Sequence, residues 1–284
     1  MTTSSIYRSE AGSHAIREWC ERQLDDAGAT GDDLDTSLGT TRVATVGSGP
    51  DIVLLPGTNF STATGLSLLA LLGREHRAIG VDLPGQPGLS AGERPRDRNA
   101  YGAWLREVLH ALGLERPVVV GHSLGGRAAL LAAQGDQTIS GLVLVAPAGL
   151  IRVRPTMLAA TIRWLVRRDE ASSAALLRRM AAPGADLPAQ LATWLALVAR
   201  HVRTSLAPPP LPRTALAEIR CPVWLVAGRH DRFLPAGHLV EALTRLGGPS
   251  TPAVVESAGH LLPDEAPHEV LHAVQAATRD ARSP

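Results

Sequence analysis

The chain contains no lysine: all 28 of its basic residues are arginine. This absence excludes a Schiff-base lysine and the lysine of a phosphate-binding P-loop. Aromatic residues make up only 3% of the chain, too few for a surface that stacks bases or sugars. The formal net charge is +1, because 27 acidic residues nearly balance the arginines. Composition therefore excludes a strongly basic nucleic-acid-binding protein.

Cysteine and long apolar runs are also scarce. Cys20 and Cys221 are the only two cysteines, and two do not build a disulfide framework in a chain of 284 residues. We expect both to be reduced structural thiols. The longest apolar stretches, 66–72 and 141–146, fall short of the roughly 20 residues of a membrane span. With no apolar segment of signal-peptide length at the N-terminus, the sequence predicts a cytoplasmic protein without a membrane span.

What the chain does contain is an alternation of short apolar strands and helices. With 45% hydrophobic residues, the chain can bury one large core that carries an insertion. An alternation of this kind predicts an α/β fold with a mostly parallel sheet covered by helices on both faces. The predicted strands are 41–46, 51–55, 77–82, 117–120, 142–145, 222–227 and 253–256, and the predicted helices flanking them are 9–27, 66–72, 103–112, 124–134, 235–246 and 267–278.

The pattern divides the chain into three parts. Residues 1–35 are predicted to be an N-terminal helical extension that ends in an acidic linker at 28–35. Residues 36–147 and 214–284 form the α/β core. Residues 148–213 show helical patterns only and end in a proline-rich segment, so they are predicted to be an insertion between two strands of the sheet.

The strongest chemical signal is Gly121-His-Ser123-Leu-Gly125. A buried strand is predicted before it and a helix after it, which is the setting of a nucleophile elbow. Flanking glycines allow the backbone of neighbouring segments to approach the strained turn. The N–H of Leu124, at the helix N-terminus, is then a candidate donor to an oxyanion.

A serine nucleophile needs a base, and the base needs an orienting carboxylate. Asp231 follows the predicted strand 222–227, and His260 follows the predicted strand 253–256. Carboxyl ends of parallel strands meet at one edge of a sheet, where the active sites of open α/β folds lie. The sequence therefore predicts Ser123, Asp231 and His260 as the catalytic residues.

Other titratable residues are predicted to be structural. His122 precedes the serine on a tight turn and should point away from it, His230 reads as a loop residue, and Asp82 as a carboxylate that anchors a loop. His238, His268 and His272 fall on predicted helices and should be solvated. No motif indicates a metal or a cofactor.

The second oxyanion donor should come from the loop after an early strand. That loop reads Pro56-Gly57-Thr58, and the N–H of Thr58 is the natural donor. An ordinary strand-to-loop turn is the alternative interpretation.

Four segments together resemble the α/β-hydrolase superfamily: Asp-Leu-Pro-Gly at 82–85, Gly-His-Ser-Leu-Gly-Gly at 121–126, Gly-Arg-His-Asp at 228–231 and Gly-His at 259–260. The resemblance covers roughly residues 40–278. It implies an eight-stranded, mostly parallel sheet with an early antiparallel strand, and a helical lid at 148–213.

The resemblance also implies the chemistry. Ser123 would be the nucleophile, His260 the general base and then acid, and Asp231 the orienting carboxylate. Serine in place of aspartate at 123 argues against haloalkane dehalogenases and epoxide hydrolases. Pro56 departs from the His-Gly that family members often carry, which leaves the exact shape of the oxyanion hole open. The helix at 9–27 lies outside the usual core.

These observations predict a serine hydrolase that acts on a small-molecule ester, thioester or lactone. Two alternatives stay open: a small-molecule receptor or signalling partner with slow hydrolysis, and a perhydrolase, carbon–carbon bond hydrolase or lyase that uses the same triad. The insertion holds ten arginines against three acidic residues. One interpretation is that it steers an anionic or carrier-linked acyl substrate; the other is arginine on solvated helix faces. The oligomeric state is not predicted.

Overall fold

A computed structural model describes residues 5–205, 207–245 and 249–282. Its central feature is one eight-stranded sheet with the strand order β1-β2-β4-β3-β5-β6-β7-β8. The strands are β1 Thr30–Thr36, β2 Gly39–Val46, β3 Asp51–Leu55, β4 Arg77–Val81, β5 Val118–His122, β6 Gly141–Val145, β7 Val223–Gly228 and β8 Ser250–Val255. β2 runs antiparallel to both of its neighbours, β1 and β4. All other neighbouring strands in this order are parallel. The α/β fold and the early antiparallel strand are therefore confirmed.

Helices cover both faces of the sheet. The helices of the core are α2 Leu66–Leu72, α3 Ala100–Ala111, α4 Leu124–Ala132, α8 Arg213–Leu216, α9 Ala236–Thr244, α10 Leu262–Glu265 and α11 Pro267–Arg282. Side chains alternate along a strand, so Val119 packs with α3 and α4 while Val118 and Val120 pack with α2 and α11. Because both faces are buried, the central strands are continuous apolar runs. The end of the predicted helix 235–246 lies outside the described residues.

The acidic segment predicted as a linker is instead the edge strand β1. Its residues Thr30–Thr36 pair along their whole length with β2, and Arg42 makes an ion pair with Asp33 at 2.7 Å. Most of its side chains are exposed, so the strand carries no alternation of apolar residues that sequence reasoning could detect. The first 35 residues are therefore not helical throughout.

Within the described residues, three helices make up most of the insertion at 148–213, which lies between β6 and β7. They are α5 Pro155–Arg167, α6 Glu170–Met180 and α7 Gln190–His201. Their buried side chains form a second core with the first helix of the chain, α1 Glu10–Asp26. The rings of Trp19 on α1 and Trp194 on α7 lie 4.7 Å apart. The N-terminal helix therefore packs against the insertion.

Two further observations bear on the sequence predictions. In the described part of the chain, no helix has the length and apolar character needed to cross a membrane. Cys20 and Cys221 are both free thiols.

Candidate active site

Ser123 lies on a strained turn between β5 and α4. Its backbone adopts φ 48° and ψ −109°, a conformation that residues with a Cβ rarely adopt. The turn closes only because residues 121 and 125, two positions away on either side, are glycines. A Cβ on Gly125 would lie 2.3 Å from the carbonyl oxygen of Leu55, and one on Gly121 would lie 2.6 Å from that of Gly125. The backbone thus has the form of a nucleophile elbow.

Asp231 and His260 meet at the carboxyl edge of the sheet, on the loops after β7 and β8. The distance from His260 Nδ1 to Asp231 Oδ2 is 2.7 Å, and both side chains are buried. The other carboxylate oxygen of Asp231 accepts hydrogen bonds from the N–H groups of Phe233 and Leu234, at 2.7 and 2.9 Å. These bonds fix the carboxylate, and a carboxylate acceptor at Nδ1 leaves the proton on that nitrogen. Nε2 of His260 is then the unprotonated nitrogen.

Ser123 and His260 line the same cavity, which has a volume of about 450 Å³. Most of its wall is apolar, and the insertion supplies a large part of that wall through Val153, Leu158, Trp164, Leu176, Met180 and Leu195. The remaining lining includes Gly57, Thr58, Phe60, His122 and Phe233. An apolar cleft with a few convergent polar groups is typical of a small-molecule site.

The loop after β3 brings Thr58 to this cavity. The N–H of Gly125 donates to the carbonyl oxygen of Pro56 at 3.1 Å, which ties this loop to the elbow. Gly57 lets the loop approach the elbow closely, because a Cβ at this position would crowd His122 Nδ1 at 3.0 Å. Among the hydrogen bonds within the described residues, none is donated by the backbone N–H of Thr58 or of Leu124. Of the two predicted oxyanion donors, Thr58 lines the cavity that contains Ser123.

Asn59 holds this loop in position from the side of the insertion. Its backbone has φ 67°, and its N–H donates to Gln86 Oε1 at 3.0 Å. The carbonyl oxygen of Asn59 accepts a hydrogen bond of 2.7 Å from the indole of Trp194, and its side chain accepts one from the hydroxyl of Thr204. The residue next to Thr58 is therefore bound by α7 and by the segment that follows it.

His122 contacts the site in a way that the sequence did not indicate. Its Nε2 lies 2.9 Å from the carbonyl oxygen of His260, and the two rings are 5.2 Å apart. Burial, with a smaller contribution from the charge of His260, lowers the pKa of His122 to about 3. The ring is therefore neutral at physiological pH and positions the loop that carries His260.

Glu265 is a second residue that sequence reasoning missed. One carboxylate oxygen accepts hydrogen bonds from the N–H groups of Ala182 and Gly259, at 2.6 and 3.0 Å, and the other accepts one from Leu261 at 2.9 Å. The carboxylate therefore holds the backbone on both sides of His260 and joins it to the insertion. No sequence signal marks it, because its partners are backbone groups.

The backbone of His260 is also bonded to the insertion directly. Its N–H donates to the carbonyl oxygen of Met180 at 2.7 Å, at the end of α6. A Cβ on Gly259 would lie 2.4 Å from the same oxygen, so only glycine permits this close approach.

The other candidate residues lie elsewhere. Asp82 is buried below the loops and accepts from the N–H groups of Thr62 and Leu89, at 2.6 and 3.0 Å; burial raises the pKa of its carboxyl group. His230 is exposed. No cluster of three or more His, Cys, Asp or Glu side chains that could hold a metal ion occurs within the described residues.

The ten arginines of the insertion are all exposed. Only Arg152 among them lines the cavity that contains Ser123. The arrangement favours the interpretation of arginine on solvated surfaces over a positively charged lining for the cavity.

The sequence and the fold of the chain are similar to those of known hydrolases. Carboxylesterase YbfK of Bacillus subtilis is 25% identical over 260 residues, which cover 84% of this chain and 83% of that protein. Its crystal structure superposes with a TM-score of 0.81 at 21% identity, over 94% of this chain and 98% of YbfK. Another Bacillus subtilis protein, described as a hydrolase, superposes with a TM-score of 0.84 at 19% identity, over 94% and 99% of the two chains.

Uncharacterized proteins of Mycobacterium bovis and Mycobacterium tuberculosis are 34% identical over 110 residues, which span 37% of this chain and 31% of the mycobacterial proteins. The match to these relatives therefore covers about a third of their length. The model of the alpha/beta hydrolase family matches residues 52–273, a range that includes Ser123, Asp231 and His260. The chain belongs to the alpha/beta hydrolase family.

Proposed function

We propose that the protein is a serine hydrolase that cleaves a small-molecule ester, thioester or lactone through an acyl-enzyme on Ser123. The observation that carries this proposal is the buried 2.7 Å contact between His260 and Asp231, with His260 lining the same cavity as Ser123. An imidazole oriented in this way presents its basic nitrogen to a serine hydroxyl. The similarity to carboxylesterase YbfK supports an ester as the substrate class.

In the first half of the reaction, Ser123 Oγ attacks the acyl carbonyl carbon while its proton passes to His260 Nε2. The oxyanion accepts hydrogen bonds from the N–H groups of Thr58 and Leu124. His260 then gives the proton to the leaving alcohol or thiol as the acyl–heteroatom bond breaks. Asp231 stays ionised and stabilises the imidazolium.

In the second half, water attacks the acyl group on Ser123 and gives a proton to His260. Collapse of the second oxyanion breaks the bond to Ser123 Oγ, which takes the proton back. The carboxylic acid leaves and the free enzyme is restored. No metal or cofactor takes part in these steps.

The cavity limits the substrate in size and polarity. Its volume of about 450 Å³ and its apolar lining suit a small molecule with an apolar acyl or alcohol part. Because the insertion at 148–213 supplies much of the wall, we assign it the role of the lid, with α5 to α7 setting the length of chain that fits.

Turnover of p-nitrophenyl esters of increasing chain length tests the proposal. The wild type should show multiple turnovers, and Ser123→Ala should abolish them. Ser67→Ala, which removes an exposed hydroxyl on α2, is the matched control and should keep full activity. Ester turnover by Ser123→Ala at the wild-type rate would refute the assignment. A single release of p-nitrophenol without turnover would favour the receptor alternative.

A further inference from the structure

A small side pocket adjoins the main cavity behind the loop of Thr58. Thr58, Ser205 and Pro208 line both spaces. The other residues that line the side pocket are Gln86, Arg94, Arg98, Tyr101 and Leu124. Its volume is about 10 Å³, which is the room that one water-sized group needs.

Positive charge surrounds this side pocket. Arg94 and Arg98 line it. Burial, with a smaller contribution from the neighbouring Arg98, lowers the pKa of Arg94. Burial and Arg98 also lower the pKa of Arg127, at the start of α4, while Asp97 acts in the opposite direction. Neither Arg94 nor Arg127 makes an ion pair with the described residues. A guanidinium that is largely removed from water and makes no ion pair is costly, and an anion beside it would offset that cost.

The hydrogen bonds of Arg94 and Arg127 are incomplete as well. Arg94 donates to the carbonyl oxygen of Arg203, but its Nε–H is buried without an acceptor in the described structure. Arg127 donates to Pro209 and Asn99 at 2.8 and 2.9 Å, and its Nε–H also lacks an acceptor there. Buried guanidinium donors without acceptors are uncommon in folded proteins.

We propose that the side pocket is a subsite for one small anionic group, held by Arg94 and Arg98. The volume admits one atom, which is either a halide ion or one oxygen of a carboxylate on a substrate in the main cavity. The carboxylate source rests on the proposed hydrolase function. The halide source does not, so the two are tested separately.

The first experiment measures the unfolding temperature of the wild type and of each variant over the same series of sodium chloride concentrations. Chloride should raise the unfolding temperature of the wild type more than that of Arg94→Gln or Arg98→Gln. Arg163→Gln, which removes an exposed arginine on α5 and the same charge, should respond to chloride as the wild type does.

The second experiment uses pairs of substrates. The p-nitrophenyl half esters of adipic and pimelic acid are compared with their methyl-capped neutral counterparts, after subtraction of the uncatalysed rate. The ratio of kcat/KM for the charged over the neutral ester cancels any general loss of activity. It should fall about tenfold in Arg94→Gln and stay at the wild-type value in Arg163→Gln.

The two experiments distinguish a halide ion from a substrate carboxylate in the side pocket. A chloride effect that Arg94→Gln loses supports the halide, and an ester ratio that Arg94→Gln lowers supports the carboxylate. If Arg94→Gln does not fold, Arg98→Gln gives the same comparison. If neither readout differs between wild type and these neutral variants, the subsite does not exist. The chloride effect is also measured on Ser123→Ala. Its presence in this variant would show that chloride binding does not depend on the proposed hydrolase function.

Discussion

The ring of His122 holds the backbone of His260, because its Nε2 donates to the carbonyl oxygen of His260 at 2.9 Å. The pKa of His122, lowered by burial to about 3, keeps the ring neutral, and a neutral ring that donates from Nε2 carries no proton on Nδ1. The residue before the proposed nucleophile thus anchors the loop of the proposed base. Through His122, the turn that carries Ser123 is bonded to the loop that carries His260.

Replacing His122 should lower kcat more than it changes KM. His122→Ala removes the donor and leaves a buried carbonyl without a partner, which we expect to reduce kcat about tenfold. His122→Gln keeps an N–H donor and should recover part of the loss. Steady-state kinetics on a p-nitrophenyl ester check this. A wild-type kcat in His122→Ala would show that the bond does not position His260.

His122 should also make the fold sensitive to acid. Its folded-state pKa of about 3 lies below the usual histidine value of 6.5, so the unfolded chain binds a proton that the folded chain excludes. Its contribution to the free energy of unfolding is therefore fully present above pH 6.5 and is lost as the pH falls toward 3. His122→Gln should lose less stability than the wild type between pH 7 and pH 4 in urea unfolding. Parallel curves for the two proteins would contradict the buried neutral ring.

Glu265 should act as a positioning residue. Glu265→Ala removes the acceptors of three backbone N–H groups around His260, and we expect kcat to fall between about 10-fold and 100-fold. Glu265→Gln keeps one acceptor oxygen and should lose less. Glu269→Gln, on the exposed side of α11, is the control and should match the wild type. Equal kcat values for Glu265→Ala and the control would rule out this role.

Trp194 should link the insertion to the oxyanion loop. Trp194→Phe keeps an aromatic ring but removes the N–H that donates to Asn59 at 2.7 Å, so kcat should fall about tenfold. Trp19→Phe changes the other ring of the same pair and leaves Asn59 untouched. It should lower the unfolding temperature with little effect on kcat. An equal loss of kcat in both variants would mean that the packing of the two rings, and not the hydrogen bond from Trp194 to Asn59, supports activity.

The strain at Ser123 should be measurable as stability. Ser123→Ala and Ser123→Gly both remove the hydroxyl, but only glycine adopts φ 48° without a Cβ penalty. Ser123→Gly should therefore be more stable than Ser123→Ala by about 1 kcal/mol, despite the entropy that glycine costs. Urea unfolding of the two inactive proteins gives the difference. If alanine is the more stable, the turn is not strained.

Some features could be predicted from the sequence because they are local. The valines of β5 and the glycines around Ser123 indicate a buried strand and a tight turn, and a position just after a parallel strand was enough to bring Asp231 and His260 to one edge. β1 could not be predicted, because a polar edge strand leaves no periodic pattern. Glu265 and Arg94 could not either, because their hydrogen-bond partners are backbone groups, which leave no pattern in the sequence.

The most direct test of the account is detection of the acyl-enzyme. The protein is mixed with a p-nitrophenyl ester, quenched in acid within the first turnovers, and analysed by intact mass and peptide mapping. The peptide that contains Ser123 should gain the mass of one acyl group. The corresponding peptide of Ser123→Ala should not. Continued ester turnover with no acyl group on Ser123, and undiminished in Ser123→Ala, would contradict it.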